Sequence, residues 1–267
     1  MFDIQYKKRK VAALFTATSL ALLFTHFTSL SESNEAVCLA REVKHSLYVN
    51  RDERADRRRH IVSQLERARI RTKRIPAVEV FHDNEVLETC WDGGSRKCAG
   101  QVGCQRSHLK ALEFAKRKGW EHVAIFEDDF QWQEYVDVLG VQCAIAKLKA
   151  LVKDWDVIAI SLNIQDSSPV EEHRVRVGPS TVSRVVKIHS AMATHGYLVR
   201  ATMLDEIYTA FKLCNVTSDL FIAIDTCWNS LQLKYNWYGL LPQLGTQGDS
   251  FSDIESRQVS YRHEYGI

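Results

Sequence analysis

The sequence predicts an α/β fold in which a mainly parallel central sheet is flanked by helices and carries an antiparallel hairpin insertion. Three observations predict it. The runs "HVAIF" (122–126) and "WDVIAISL" (155–162) are apolar on both faces, as strands covered by helices must be. Between such runs lie segments whose apolar residues recur every three or four positions, the helical period. The stretch "EEHRVRVGPSTVSRVVKIH" (171–189) alternates instead around Gly178-Pro179 and reads as a hairpin. Strands alternating with helices are the signature of a parallel sheet.

The chain of 267 residues is 45% hydrophobic and 25% charged, which suits a globular protein, and its four prolines and twelve glycines leave no long linker. A formal net charge of +2 gives no electrostatic reason to expect nucleic acid as a partner. The N-terminus reads separately from the fold. Lys7 to Lys10 form a basic tail over residues 1–10, and the segment 11–30, "VAALFTATSLALLFTHFTSL", has about the length needed to cross a bilayer core. It reads as a signal anchor, with residues 31–43 as a stem and residues 44–267 as the main domain. Positive charge ahead of the span predicts a single-pass type II protein whose domain faces the lumen of the Golgi or endoplasmic reticulum. Asn215-Val216-Thr217 is a glycosylation sequon in keeping with that address. Among the seven cysteines, Cys90 is expected to pair with Cys98 or Cys104, the odd number leaves a thiol over, and no C-x-x-C pair favours zinc.

The elements follow in order. "KHSLYVN" (44–50) is a short strand. In "RDERADRRRHIVSQLERARI" (51–70), Ile61, Val62, Leu65 and Ala68 fall at helical spacing. "RTKRIPAVEV" (71–80) returns to strand character, and residues 82–103 form a polar loop. "QRSHLKALEFAKRKG" (105–119) predicts a helix with Ser107 as N-cap, basic residues at its C-terminal dipole and Gly119 as a left-handed stop. His108 then reads as a packing residue at the helix start. Gly103 and Cys104 read as close-packing positions. Val136, Leu139, Ala144, Leu148 and Leu151 mark another helix. "THGYLVRA" (194–201) is a strand, "TMLDEIYTAFKL" (202–213) and "DLFIAIDTCWNSLQLKY" (219–235) are helices, and "NWYGLLP" (236–242) follows.

Function is read from two strand ends. In open α/β sheets the ligand crevice lies beyond the carboxyl ends of the strands. "HVAIF" delivers Glu127, Asp128 and Asp129 to such an end, and "SLYV" delivers "NRDERADRR". Three adjacent carboxylates repel one another unless water or a cation compensates them. A hard divalent cation takes carboxylate and phosphate oxygens together, and arginines nearby complement phosphate. Carboxylates and arginines at one edge therefore point to a nucleotide-diphosphate ligand. A solvated acidic loop is the plainer alternative, as is a solvated helix face for the arginines.

"SLYVNRDERADRRRHIVSQLERARI…RIPAVEV", "GQVGCQRSHLKALEFAKRKGWEHVAIFEDDF", "THGYLVRATMLDEI" and "LLPQLGTQGDSFSDIE" together resemble glycosyltransferase family 25, the lipooligosaccharide and procollagen galactosyltransferases. The resemblance spans about residues 44–255, and its G-C-x-x-S-H…E-D-D block is its most specific part. Arg51 replaces a family leucine, and Gln101-Val102 replaces the acidic residue expected before Gly103-Cys104. The resemblance implies a GT-A-type nucleotide-sugar fold. It also implies transfer of a hexose, usually galactose, from a UDP-sugar donor to a hydroxyl of a glycan, glycoprotein or glycolipid acceptor, with inversion and with Mn²⁺ or Mg²⁺. On that reading Glu127 and Asp129 hold the metal, Asp129 also serving the chemistry, and Asp128 meets the ribose or donor sugar. Arg54, Arg57 and Arg58 face phosphate or uridine. Asp225 and Asp219 are candidate bases. Gln247, Ser252 and Asp253 touch donor or metal; the tryptophans read mostly as core, with Trp237 or Tyr238 the ones that could stack on a sugar. The alternative is a binding protein that keeps this fold but has lost turnover.

Overall fold

A computed structural model describes residues 41–80, 96–214, 224–252 and 257–259. The main sheet has six strands in the order β2–β1–β3–β6–β5–β7. These are β1 (Ser46–Asn50), β2 (Thr72–Pro76), β3 (His122–Glu127), β5 (Val157–Arg176), β6 (Val182–Arg200) and β7 (Trp237–Leu241). β1 pairs in parallel with β2 and β3, and β5 with β7, whereas β6 runs antiparallel to β3, β5 and β7. The expected mainly parallel sheet is thus present, with β6 as the single reversed strand. The hairpin at Gly178-Pro179 is present too, and it is the long β5–β6 arm. Small two-stranded sheets join β4 (Phe130–Trp132) to β8 (Gly245–Gln247), and β9 (Ser250–Ser252) to β10 (Arg257–Val259).

Helices cover both faces. On one lie α1 (Ala55–Arg67) and α3 (Val141–Leu151), whose Ile61, Leu65, Ala144, Ile145 and Leu148 pack on Ala124 and Phe126 of β3. On the other lie α2 (Arg96–Lys118), α4 (Leu204–Leu213) and α5 (Asn229–Lys234). Their Ala111, Leu112, Ile207, Phe211 and Leu231 pack on Val123 and Ile125 of the same strand. Each fully buried Leu, Ile or Phe stabilises the fold by about 1.5–3 kcal/mol, so the apolar run of β3 is the seam that joins both cores.

Several local readings change. α2 begins at Arg96 rather than near Ser107, so Ser107 is no N-cap. Inside the helix its hydroxyl donates to the Gly103 carbonyl (2.6 Å) and accepts from the Val78 amide (2.8 Å), tying the helix to the chain beyond β2. A Cβ on Gly103 would lie 2.8 Å from the Val78 oxygen, so the expected close packing there is real. Gly119 does take the left-handed stop, with φ 63°. Leu139 is exposed in a 3₁₀ turn before α3, and of the helix expected over 219–235 the described part, from residue 224, is a 3₁₀ turn at Ile224–Thr226 followed by the shorter α5. Trp237 is fully buried and Tyr238 donates its hydroxyl to Asp154, so neither offers a ring to a sugar.

The membrane anchor is corrected. Among the described residues no helix is long and apolar enough to cross a membrane. The longest, α2, carries basic residues throughout its last turn. The span 11–30 and Asn215 lie outside the described residues, and the type II topology, the Golgi or endoplasmic reticulum address and the membrane partner are withdrawn. Glu42 and Val43, read as stem, are fastened to the fold: Glu42 pairs with Lys149 at 2.6 Å and the Val43 amide donates to Gln142. Cys214 and Cys227 form a disulfide with each other, Cys98 and Cys143 each take part in a disulfide, and Cys104, one expected partner for Cys90, is a free thiol.

Candidate active site

The register of the parallel pair β1–β3 sets Val49 beside Glu127, which brings the "NRDER" and "EDD" segments to one edge of the sheet. The next strand over is β6, where Phe126 faces Gly196. Just past that pair β6 bulges: Ser161 of β5 faces Gly196 while Asn163 faces Met192, so Ala193, Thr194 and His195 crowd opposite Leu162. Ala193 has φ 63°, a left-handed conformation that a non-glycine residue adopts at a cost. Such bulges re-aim side chains. Here Thr194 and His195 are turned toward the acids at the end of β3.

A cleft of about 450 Å³ opens at this edge, and Asn50, Arg57, Cys104, His108, Glu127, Asp128, Asp129, Thr194, His195, Asp225, Gln247 and Ser252 are among the residues lining it. The three acids have different surroundings. Glu127 accepts from the Thr194 hydroxyl at 2.5 Å and lies 3.5 Å from His108 Nε2. Burial alone would push its carboxyl up, but His195 and His108 together with the Thr194 bond outweigh it and hold it at about 2. Asp128 accepts from Asn50 Nδ2 at 2.8 Å on one oxygen and from Arg57 at 2.9 Å on the other. Burial, with the charge of Asp129 next, pushes it up to about 6. Each Asp128 oxygen thus already accepts a hydrogen bond from within the protein.

Asp129 is different. Its Oδ2 accepts from Gln247 Nε2 at 3.0 Å and lies 3.5 Å from Arg57, while its Oδ1 is buried with no hydrogen-bond partner. A buried carboxylate oxygen without a partner is costly. Glu127, Asp129 and His195 each bring one donor atom within 4.8 Å of the others, and the unsatisfied Oδ1 of Asp129 is in keeping with a divalent cation there. Two carboxylates and an imidazole suit a first-row ion such as Mn²⁺.

The arginines divide. Arg57 lines the cleft and bridges Asp128 to the Phe251 carbonyl. Arg54 binds Asp56, two residues on, and the same Phe251 carbonyl. Arg58 turns to Asn50 and the Asp52 carbonyl, and neither Arg54 nor Arg58 lines the cleft. Asp225 stands in the 3₁₀ turn at the far wall and accepts from the Ala193 amide at 3.3 Å. Burial raises its carboxyl above the ordinary value. Gln247 and Ser252 are in the cleft, whereas Asp253 and Asp219 lie outside the described residues.

Three participants, Asn50, Thr194 and His195, were not singled out in the sequence, and a fourth, His108, was read as a packing residue. Asn50 was the last letter of a strand, yet it is buried and joins four residues by donating to Asp128 and the Arg54 carbonyl and accepting from Arg58 and Arg74. Thr194 and His195 sat in a run that reads only as strand. His108, expected at a helix start, lies in the body of α2, fully buried, with Nδ1 on the Tyr197 hydroxyl at 3.0 Å and Nε2 toward Glu127. The family resemblance, through its S-H and E-D-D blocks, was the one signal that linked His108 to the acids.

Residues 44–228 match the model of glycosyltransferase family 25 (LPS biosynthesis protein). No curated protein matches the chain. Among solved structures it is similar to apo UDP-glucose pyrophosphorylase at 10% identity and TM-score 0.43, covering 84% of this chain and 95% of that one. UDP-glucose pyrophosphorylase complexed with UDP-glucose gives 9%, 0.41, 84% and 96% on the same measures. A197 from STIV gives 9%, 0.38, 81% and 93%. Likeness at this level bears on neither substrate nor site.

Proposed function

The chain belongs to glycosyltransferase family 25, and from that premise we propose that it moves a hexose, galactose first among the candidates, from a UDP-sugar to an acceptor hydroxyl on a glycan, glycoprotein or glycolipid. The observation that carries the reading is the unpartnered buried Oδ1 of Asp129 beside Glu127 and His195 in the cleft.

Each residue then has a task. Glu127, Asp129 and His195 would hold a divalent cation, Mn²⁺ or Mg²⁺, and the ion would supply positive charge against the departing diphosphate. Arg57 keeps the adjacent Asp128 compensated, and its guanidinium edge meets donor phosphate. Gln247 orients Asp129 through the 3.0 Å bond to Oδ2, leaving Oδ1 for the ion. Asp225 accepts the acceptor's hydroxyl proton as that oxygen attacks the anomeric carbon and the bond from that carbon to the diphosphate oxygen breaks. Its raised affinity for a proton suits a base. Attack opposite the leaving group inverts the anomeric centre. The sugar passes through an oxocarbenium-like state, which the surrounding carboxylates stabilise.

The test is a donor-hydrolysis screen of the purified protein against a panel of UDP-sugars, with and without Mn²⁺. Cation-dependent release of UDP from one or two sugars is expected. Release from none of them, while UDP still binds, would turn the reading to a binding protein.

A further inference from the structure

The cleft contains a second cluster of ligating side chains, two of which, Cys104 and His108, the proposed transfer does not use. Cys104 and His108 are one helical turn apart on α2 and therefore share a face. That face meets the end of β3. Cys104, His108 and Glu127 each bring one donor atom within 4.8 Å of the others.

The donors have the character of a soft-metal site. His108 is fully buried, and its Nε2 has no hydrogen-bond partner. That nitrogen lies 3.5 Å from Glu127 Oε1, an ion-pair contact when the imidazole is protonated but longer than an ordinary hydrogen bond. For bonds of about 2.0–2.2 Å, however, the edge of a ligand tetrahedron is about 3.3–3.6 Å. The opposite ring nitrogen is held by the Tyr197 hydroxyl at 3.0 Å, which fixes the ring as an outer hydrogen bond does for metal-bound histidines. Cys104 is a free thiol, while Cys98, Cys143, Cys214 and Cys227 are in disulfides. A thiol, an imidazole and a carboxylate, with the cleft open for a water, form the mixed donor set of a four-coordinate zinc ion.

We propose that Cys104, His108 and Glu127 form a thiophilic cation site that takes Zn²⁺, and that this site shares Glu127 with the Mn²⁺ site of Glu127, Asp129 and His195. Binding forms a bond from Zn²⁺ to Sγ and releases the thiol proton to solvent, with no change of oxidation state. Filling it draws Glu127 away from the cation at Asp129. Zinc therefore inhibits, a consequence that rests on the transferase reading above.

The experiment uses the full chain, stripped of metal and with its disulfides intact, titrated with Co²⁺ as a spectroscopic stand-in for Zn²⁺. The wild type should bind one equivalent with a thiolate-to-cobalt charge-transfer band, and Zn²⁺ should bleach it. Cys104→Ser should lose the band and bind Zn²⁺ at least about tenfold more weakly. No band in the wild type, or a band that persists in Cys104→Ser, overturns the site. In Mn²⁺-supported assays, Zn²⁺ should inhibit the wild type at concentrations at least about tenfold below those that affect Cys104→Ser. A bound band without inhibition overturns the sharing of Glu127. A band in a protein that hydrolyses no UDP-sugar leaves the zinc site standing and the transferase reading fallen. Turnover without any band does the reverse.

Discussion

Asn50 donates its side-chain amide to Oδ2 of Asp128 across 2.8 Å, though 78 residues separate the two in sequence. The parallel pairing of β1 with β3 makes the contact, and Arg58 and Arg74 fix the far side of the same amide through its oxygen. Asn50 is therefore a joint between the arginine segment and the acids.

Replacing it tests the joint. Asn50→Ala removes a donor to a buried carboxylate and leaves Asp128 short of a partner. The expected loss of stability is about 2–4 kcal/mol, read by urea unfolding. Asn50→Asp should do worse, because it sets a second carboxylate against Asp128. A loss well under about 1 kcal/mol for Asn50→Ala would make the contact peripheral.

Arg57 needs a gentler substitution than truncation. Its guanidinium compensates Asp128 at 2.9 Å, both side chains being mostly buried, so Arg57→Ala leaves a buried charge alone and costs about 3–5 kcal/mol. Arg57→Lys keeps the charge but loses the planar fork that, on the proposed reading, would meet donor phosphate. The expected result is a donor KM raised about tenfold with a smaller change in kcat, since a charge-assisted hydrogen bond is worth about 1.5–3 kcal/mol. An unchanged KM would confine Arg57 to holding Asp128 and the Phe251 carbonyl.

These two residues also show what could be read in advance. The sheet was legible because β3 is apolar on both faces, and that pattern permits nothing but burial between two layers. The meeting of arginines and acids at one edge was legible because parallel strands end on the same side. Which arginine enters the cleft was not. Arg54, Arg57 and Arg58 look alike in sequence, and the phase of α1 together with the local bonds of Arg54 to Asp56 and Arg58 to Asn50 decides among them. His195 was hidden for another reason. It reaches the site through a bulge in β6, and a bulge leaves no mark on an apolar strand pattern unless a glycine betrays it, whereas Ala193 occupies the strained position. The Cys104–His108–Glu127 cluster escaped the search for C-x-x-C pairs because its third member comes from another element.

The raised carboxyl of Asp128 predicts a pH dependence. Its folded value is about 6 against an ordinary 3.8, so the folded protein holds this proton more tightly than the unfolded chain. The stabilisation from this group is present below about pH 4 and is lost as pH rises through about 6. Unfolding of the wild type and of Asp128→Asn should be compared from pH 4 to 7 without divalent metal. The fixed cost of altered contacts cancels in the slope, and the variant should gain on the wild type as pH rises. A difference that is flat with pH would mean that Asp128 is ionised throughout.

The last prediction concerns Asp129. Its Oδ1 is buried without a partner, and its charge is the second cause, after burial, of the raised Asp128. In the absence of a cation the group is thus a burden on the fold rather than a support. Asp129→Asn keeps the shape and leaves an oxygen to accept from Gln247, but it removes the charge. Three outcomes should coincide. The metal-free variant should melt no lower than the wild type, and higher if relief of repulsion with Asp128 exceeds the cost of the buried amide. Mn²⁺ with UDP should raise the melting temperature of the wild type and not that of the variant, because ligand binding to the folded state alone produces such a rise. Turnover should fall at least about 100-fold, which is about 2.7 kcal/mol of lost transition-state stabilisation. Near-normal turnover, or a metal-free protein that melts far below the wild type, would make Asp129 a structural residue. The pairing of the readouts matters: a variant that merely misfolds loses turnover and stability together, whereas a lost cation site removes turnover and the Mn²⁺ response while the metal-free protein holds.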